Sequence, residues 1–256
     1  MASQLTVHFI GAGPGAVDLI TLRGHKLLSE ADVVIHAGSL VNPAVLDYVK
    51  PECVMHDSAK MTLDEVLSVI REAEATGLTT VRLHSGDPSL YGAIGEQMRQ
   101  LDALGIAYDI CPGVSSFSGA AAALQVEYTV PEITQSVIIT RMPGRTPMPV
   151  GEEMAGLASH GSTMVIFLST GLLDGLVTEL QAGGRSADDP AAIVYKATWP
   201  EERVFPCTIG TLAATAAENN LQNTALIVVG PCLSDSQTLS RLYADDFATG
   251  FREIKH

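Results

Sequence analysis

The sequence predicts an α/β protein made of two α/β domains, the first with a mainly parallel sheet and the second with a mixed sheet. Short β-branched or apolar runs alternate with helical patterns almost from end to end, which is typical of parallel strands covered by helices. In the second half, two strand-like runs flank "WPEE", which favours an antiparallel hairpin. We expect a boundary near "CPGVSS", giving domains 1–113 and 114–256 with a ligand cleft between them.

The individual elements follow from their patterns. Strands are expected in "LTVHFIG", "DVVIHAG", "TTVRLHSG" and "IAYDICPG", and each is followed by a turn signal. The clearest helix is "TLDEVLSVIREAEATG", in which Thr62 and Glu65 have capping-box spacing and Gly77 ends the pattern. In the second half, strands are expected in "QSVIITR", "STMVIFLST", "AAIVYKATW", "RVFPCTIG" and "NTALIVVG".

Composition excludes several classes of protein. With 46% hydrophobic and 17% charged residues, the 256-residue chain is not generally disordered, and no run approaches the roughly 18 apolar residues of a membrane span. The start of the chain lacks the pattern of a secretory signal. A net charge of −14 argues against a nucleic-acid or anionic-membrane partner. The four scattered cysteines predict neither a disulfide framework nor a metal site, and fit a reducing cytoplasm.

A glycine-rich turn follows the first expected strand, in "HFIGAGPGAVDLITLRG". Gly11, Gly13 and Ala16 match the fingerprint of a dinucleotide-binding turn. The surroundings argue against that interpretation. The second strand ends in "HAGS" without a carboxylate for a ribose, Pro14 removes an N–H that phosphate would need, and Asp18, expected to cap the next helix, would repel pyrophosphate. The alternative is a tight structural connection.

Two further turns favour a ligand site. They are "LHSGDPSLYGA", where Gly86 permits close backbone approach and Asp87 can accept hydrogen bonds, and "CPGVSSFSGAAAAL". All three turns follow expected parallel strands, so they should meet at the carboxyl edge of the sheet, where open α/β sheets bind ligands. Three turns on one edge predict a site.

In this order and at these spacings, the three turns resemble the tetrapyrrole methylases, the methyltransferases of corrin and sirohaem synthesis. The resemblance covers nearly the whole chain, and "HAGSLVNPAVL", "TVPEITQSVIITRMPGRTPMP" and "KATWPEE" narrow it to the corrin branch. Relatives that methylate uroporphyrinogen usually carry an acid in a "YD" pair where His36 and Ala37 stand here. The resemblance implies S-adenosylmethionine as methyl donor, S-adenosylhomocysteine as product, a tetrapyrrole as substrate and a homodimer.

The resemblance also implies site residues. Pro14 is expected against the donor, with Gly13 and Ser39 on the substrate side. The other residues expected to bind the donor are Ser85, Gly86, Asp87, Leu90, Ser115, Ser116, Leu168, Ala197, Thr224 and Ala225.

Catalysis needs little from the protein beyond alignment and exclusion of water, because a sulfonium methyl is already activated. His84, Asp87 and Tyr91 are the candidates for proton transfer, although a histidine satisfied by backbone and a packing tyrosine are equally compatible with the sequence. Arg141 and Arg145, in the proline-rich loop "TRMPGRTPMP", are expected to bind substrate carboxylates, or else are solvated.

Three other functions stay open at this point. They are a dinucleotide-dependent oxidoreductase, a tetrapyrrole carrier without catalysis, and methylation of a different substrate within the family, such as another corrin precursor, the diphthamide precursor or ribosomal RNA. The charge argues against RNA.

Overall fold

The computed structural model describes residues 6–234, 244, 247, 248 and 251. It confirms the predicted α/β class, with a parallel five-stranded sheet and a mixed five-stranded sheet. The chain divides into two compact units, Met1–Ala123 with Lys196–Arg203, and Leu124–Tyr195 with Val204–His256. These bounds differ from the predicted 1–113 and 114–256, because most of the helix after "CPGVSS" stays with the first unit and Lys196–Arg203 joins it.

The first unit is a five-stranded sheet with helices on its connections. Its strands are β1 (Val7–Gly11), β2 (Val33–His36), β3 (Val54–Asp57), β4 (Thr80–His84) and β5 (Tyr108–Cys111). Its helices are α1 (Leu22–Glu30), α2 (Leu63–Ala75), α3 (Ile94–Leu104) and α4 (Ser116–Leu124). The strand order is β3-β2-β4-β1-β5 and every pair is parallel, so the carboxyl ends of β1, β4 and β5 are neighbours.

Both faces of the central strands β1, β2 and β4 are buried. Phe9 and Ile35 belong to the core on one face, and Ile10 and Leu83 to the core on the other. Burial on both faces is why β1 and β2 appear in the sequence as mostly apolar runs.

The helix starts show one prediction confirmed and one wrong. At α2 the capping box is present: the Thr62 N–H donates to Glu65 Oε2 at 2.7 Å, and the Glu65 N–H donates to Thr62 Oγ1 at 3.3 Å. At α1, Asp18 is not the cap, because the chain first makes a 3₁₀ turn over Val17–Leu19. Thr21 caps this helix instead and accepts from the Gly24 N–H at 3.1 Å.

The second unit contains all five predicted strands. They are β6 (Val137–Arg141), β7 (Thr163–Phe167), β8 (Pro190–Tyr195), β9 (Arg203–Thr208) and β10 (Ala225–Val229), in the order β6-β7-β10-β8-β9. Its helices are α5 (Met154–Ala158), α6 (Leu173–Ala182) and α7 (Leu212–Glu218). β6 and β7 are parallel, whereas β10 is antiparallel to both β7 and β8, so the sheet is mixed as predicted.

Candidate active site

Three glycines meet at the carboxyl edge of the parallel sheet: Gly11, the last residue of β1, and Gly86 and Gly113 from the turns after β4 and β5. A Cβ on Gly113 would lie 2.1 Å from the Gly86 carbonyl oxygen and 2.7 Å from Gly11 Cα. A Cβ on Gly11 would lie 2.4 Å from the same oxygen. Real Cβ atoms do not approach backbone this closely, so only glycine fits at Gly11 and Gly113. These glycines therefore allow three turns to pack on one another.

The backbone of the first turn is hydrogen-bonded within the protein. The Ala12 N–H donates to the His84 carbonyl at 2.7 Å, and Gly13 and Gly86 exchange hydrogen bonds of 3.3 and 2.8 Å. The Ala16 N–H donates to Thr198 Oγ1 at 2.9 Å, and Pro14 has no N–H. A pyrophosphate site needs several N–H groups pointing at the ligand, and here Ala12, Gly13 and Ala16 are already engaged. The geometry thus argues against the dinucleotide alternative.

Asp87 joins the second turn to the third. Its Oδ2 accepts from the Gly113 N–H at 2.8 Å, and its Oδ1 accepts from the N–H of Ser89 at 2.9 Å and from the Ser89 hydroxyl. Partial burial favours the neutral carboxyl, but the hydrogen bonds from Ser89 and Gly113 outweigh it and lower the pKa of Asp87 below its usual value. Asp87 is therefore ionised at neutral pH and is a weak proton acceptor.

A pocket of about 470 Å³ lies beside these two turns, within the first unit. Its walls are formed by Asp87, Ser89, Leu90, Gly113, Val114, Ser115, Phe117 and Ser118. Asp87, Leu90 and Ser115 are among the predicted donor-binding residues. Ser89, Val114, Phe117 and Ser118 were missed, although their position within the two quoted stretches, the last two at the start of α4, was a usable signal. Two other predicted residues, Gly86 and Ser116, lie at the contact between the turns, where a Cβ on Gly86 would be 3.2 Å from the Ser116 nitrogen.

His84 lies beneath the second turn and is only 3% exposed. Its ring stacks on Phe9 with 6.1 Å between centroids, and its Nε2 has no hydrogen-bond partner among the described residues. Burial, helped by the neighbouring Arg82 charge, lowers the pKa of His84 to about 3, so the imidazole is neutral and weakly basic. Tyr91 differs in being 43% exposed, with a left-handed backbone of φ 58°. Of the three proton-transfer candidates, His84 and Tyr91 thus have opposite environments.

Buried next to His84, Arg82 has its guanidinium on the same face of the sheet. It donates through Nε to Gln97 Oε1 at 3.1 Å and through one terminal nitrogen to the Ile35 carbonyl at 3.0 Å. Burial lowers the pKa of Arg82 to about 10, and the side chain remains a cation at neutral pH. No signal in the sequence marked this residue, because an arginine is usually exposed.

In the second unit, three of the predicted donor-binding residues come together. Leu168 directly follows β7, Thr224 directly precedes β10, and Ala225 is the first residue of β10, so the three lie at the same end of this antiparallel pair. Leu168 is 61% exposed and has φ 52°, while Thr224 has φ 53°. An exposed leucine in a left-handed conformation is unusual, and such backbone outliers concentrate at functional positions.

The remaining predicted residues have distinct surroundings. Ala197 belongs to the first unit, is buried, and has its carbonyl oxygen 2.8 Å from where a Cβ on Gly15 would stand. Ser39 is exposed in the 3₁₀ turn after β2. Arg141 donates to three backbone carbonyls of its own loop, those of Met142, Thr146 and Pro147, at 3.0 to 3.3 Å. These bonds make Arg141 a brace for the loop, whereas Arg145 is exposed.

Two properties concern the part of the chain that the structure describes. In that part, no helix is long and apolar enough to cross a membrane. Among the same residues, no three histidine, cysteine, aspartate or glutamate side chains are grouped so that they could hold a metal ion.

Comparison with known proteins agrees with these features. The family described as Tetrapyrrole (Corrin/Porphyrin) Methylases matches residues 6–213. The precorrin-4 C(11)-methyltransferase of Sinorhizobium sp is 47% identical over 250 residues, covering 97% of this chain and 98% of that protein. A solved structure of cobalt precorrin-4 methyltransferase, a cobalamin biosynthetic enzyme, matches with a TM-score of 0.87 and 42% identity, covering 90% of this chain and 96% of the other.

A second solved structure carries the product of the methyl donor. The uroporphyrin-III C-methyltransferase from Thermus thermophilus, in complex with S-adenosylhomocysteine, has a TM-score of 0.73 and 26% identity, covering 88% of this chain and 92% of that one. The residues that match the family span most of the chain and include all three turns. The chain therefore belongs to the tetrapyrrole methylase family.

Proposed function

We propose that this protein is an S-adenosylmethionine-dependent methyltransferase that methylates carbon 11 of precorrin-4 and yields precorrin-5 in cobalamin biosynthesis. The proposal is supported by the relative of that name at 47% identity, which is matched over 98% of its length. The single structural observation that carries it is the packing of Gly11, Gly86 and Gly113 beside the pocket. Cobalt-precorrin-4 is the alternative substrate, favoured by the name of the solved structure.

The pocket suits a nucleoside-sized donor. A volume of about 470 Å³ lies within the range of small-molecule sites. Leu90, Val114 and Phe117 offer apolar walls, and Ser115 and Ser118 offer hydroxyls. The carboxylate in the pocket wall places a negative charge there, which complements a cationic donor.

We assign donor binding to two groups of residues. Those in the first unit are Pro14, Ser85, Gly86, Asp87, Leu90, Ser115, Ser116 and Ala197. Leu168, Thr224 and Ala225 of the second unit are assigned on the family resemblance, supported by their clustering at one end of β7 and β10. When bound, S-adenosylmethionine supplies a methyl group already activated by the positive sulfur.

The protein has to hold the acceptor carbon in line and exclude water. Carbon 11 is nucleophilic in a reduced tetrapyrrole, so no protein nucleophile is required. With a pKa of about 3, His84 is a poor base, and we give it no proton-transfer role. The packed first turn, with Gly13 and Pro14, provides a rigid surface for the acceptor and the donor.

On the substrate side we propose Gly13, Ser39 and Arg145, with Arg141 holding the loop that carries Arg145. The acetate and propionate groups of the substrate call for cations, and an exposed arginine on a braced loop can bind a carboxylate with two parallel hydrogen bonds. All four cysteines are free thiols, which supports a reducing cytoplasm as the compartment. We also propose a homodimer, on the family resemblance, to be checked by light scattering.

Mass spectrometry of precorrin-4 incubated with the protein and S-adenosylmethionine tests this function. One added methyl group, absent without the donor, is expected, and NMR of the product should locate it at carbon 11. Parallel reactions with cobalt-precorrin-4 decide between the two substrates. If S-adenosylhomocysteine binds but neither tetrapyrrole gains a methyl group, the substrate assignment is wrong while the cofactor assignment stands. If nothing binds, both are wrong.

A further inference from the structure

The connection between β8 and β9 holds the first turn through side chains. Trp199 Nε1 donates to the Pro14 carbonyl at 3.2 Å, and Thr198 Oγ1 accepts from the Ala16 N–H at 2.9 Å. From another segment, Asn42 Nδ2 donates to the Gly15 carbonyl at 2.8 Å. Three successive residues of the turn, 14 to 16, are thus each bound through the backbone by a different side chain.

Close packing accompanies these hydrogen bonds. A Cβ on Gly15 would lie 2.0 Å from Trp199 Cδ1, so the indole rests directly on the backbone of the turn. On the other side, a Cβ on Gly119 would lie 2.9 Å from Pro14 Cβ and 3.2 Å from Thr198 Cγ2. Pro14 is therefore enclosed between α4 and the connection, and it has little room to move.

The connection keeps a conformation that its residues would not adopt by themselves. Lys196 and Thr198 have φ values of 48° and 67°, and the left-handed region is unfavourable for a β-branched side chain such as threonine. Several contacts hold it there. The Thr198 N–H donates to Glu202 Oε2 at 2.5 Å, the Trp199 N–H donates to the Lys196 carbonyl at 3.0 Å, and Lys196 Nζ lies 4.8 Å above the Trp199 ring.

An unfavourable backbone persists only where surrounding structure fixes it, and such backbone is concentrated at functional sites. Here the strained segment is the one that reaches the first turn, and Ala197, assigned above to donor binding, lies within it. Thr198 and Trp199 lie outside the described walls of the pocket. Any effect of Thr198 and Trp199 on catalysis is therefore transmitted through the turn formed by residues 14 to 16.

We propose that Thr198 and Trp199 are positioning residues for methyl transfer, which fix Pro14–Ala16 so that the turn presents the donor to the acceptor carbon. This inference rests on the function proposed above. It predicts an effect on turnover, since a displacement of about 1 Å at a reacting centre can lower a rate by up to about 10²-fold. Donor affinity should change less, because Thr198 and Trp199 do not line the pocket and Pro14 is only one of the residues assigned to the donor.

The test compares Trp199→Phe, Thr198→Val and Thr198→Ser in the full chain. Phenylalanine keeps an aromatic ring on Gly15 but lacks the N–H donor, and valine keeps the shape of threonine but lacks the acceptor. Serine retains the hydroxyl. The matched control is Thr178→Val, which removes the hydrogen bond of 2.9 Å from an exposed hydroxyl to the Asp174 carbonyl in α6. For each protein, kcat and KM for S-adenosylmethionine, affinity for S-adenosylhomocysteine and Tm are measured.

Thr198→Val and Trp199→Phe should lower kcat by about five- to tenfold, since one net hydrogen bond is worth about 1 kcal/mol. In these two variants, KM for the donor and affinity for S-adenosylhomocysteine should change less than about threefold. Thr198→Ser should keep most of the wild-type kcat, and Thr178→Val should match the wild type in all four measurements. A fall in Tm with kcat unchanged, or an equal loss in Thr198→Ser and Thr198→Val, overturns the inference. If the wild type itself transfers no methyl group, the proposed function fails first and the inference fails with it.

Discussion

The Asp87 carboxylate accepts a hydrogen bond of 2.8 Å from the backbone N–H of Gly113, 26 positions further along the chain. This bond joins the turn after β4 to the turn after β5, on the wall of the pocket. The other carboxylate oxygen of Asp87 accepts from the Ser89 N–H, so both oxygens are fixed. Asp87 therefore shapes the pocket as well as giving it a negative charge.

Replacing Asp87 by asparagine should separate these two contributions. In Asp87→Asn the amide oxygen can keep the hydrogen bond from the Gly113 N–H, while the amide NH2 faces Ser89 and leaves the Ser89 N–H without its acceptor. Because the negative charge is lost as well, we expect Asp87→Asn to weaken S-adenosylmethionine binding by about tenfold, typical of a charge-assisted hydrogen bond or ion contact. Titration calorimetry measures this change in affinity.

The control for this substitution is Asp87→Ala, which removes the shape together with the charge. It should lose donor binding and also about 1–3 kcal/mol of stability in urea unfolding, because the Gly113 N–H is left without its acceptor. Equal affinity for S-adenosylmethionine in Asp87→Asn and wild type would contradict a role for the charge.

The contact between Gly11, Gly86 and Gly113 makes a steric prediction. Gly113→Ala places a Cβ 2.1 Å from the Gly86 carbonyl oxygen and cannot be accommodated without moving one of the turns. We expect a loss of about 1–3 kcal/mol in the free energy of unfolding, measured in urea, as for other overpacked sites. Methyl transfer should fall by at least about tenfold, because the displaced turns border the pocket.

The control for this substitution is Gly156→Ala. Gly156 is exposed within α5, and a Cβ there would meet nothing within 4 Å among the described residues. Alanine should stabilise the helix by up to about 1 kcal/mol and leave methyl transfer unchanged. If Gly113→Ala were as active and as stable as Gly156→Ala, the close contact of the three turns would have no functional importance.

His84 makes a prediction about pH. Its pKa of about 3 lies below the ordinary value of 6.5, so between these values the unfolded chain binds a proton that the folded chain does not. Stability is therefore lost as the pH falls below 6.5, by up to about 1.4 kcal/mol per pH unit. In His84→Phe, which keeps a planar ring against Phe9, this contribution should vanish.

Urea unfolding of both proteins between about pH 4 and pH 7, the range in which this proton is taken up, measures the difference. The comparison uses the slope of unfolding free energy against pH, so that a constant difference in stability between the variants cancels. Parallel lines for wild type and His84→Phe would mean that His84 gains protons in the folded state as readily as in the unfolded chain.

Much of the first unit follows from local patterns. Parallel strands bring their carboxyl ends to one edge, so the turns containing Gly11, Gly86 and Gly113 could be placed together from the order of strands and helices. The capping box at the start of α2 depends on two residues three positions apart, so it could also be predicted from the sequence. β3 was not predicted, because Val54 and Met55 are more than half exposed and the strand shows neither an apolar run nor a regular alternation.

What the sequence could not indicate depends on long-range contacts. Trp199 and Pro14 are 185 positions apart, and nothing local to either residue predicts their hydrogen bond. Arg141 was expected to bind a carboxylate because a conformationally fixed arginine in a proline-rich loop can hold one through two hydrogen bonds. Only the folded loop reveals that its guanidinium is engaged by backbone carbonyls, a role that residue type does not distinguish from ligand binding.

The two loop arginines give the last prediction. Arg145→Ala should raise KM for the tetrapyrrole by at least about tenfold, because a charge-assisted hydrogen bond to a carboxylate contributes about 1.5–3 kcal/mol, and should leave affinity for S-adenosylhomocysteine unchanged. Arg141→Lys should also raise this KM, since lysine cannot span the Met142, Thr146 and Pro147 carbonyls with a planar fork.

Steady-state kinetics with varied tetrapyrrole concentration measures these KM values. The control is Arg99→Ala, which also removes one positive charge from this acidic protein but at an exposed arginine on α3. The double variant carrying both Arg141→Lys and Arg145→Ala should be little worse than Arg145→Ala, because a brace has no effect once the group it presents is gone. Additive losses would instead mean that Arg141 contacts the substrate independently, as the sequence first indicated.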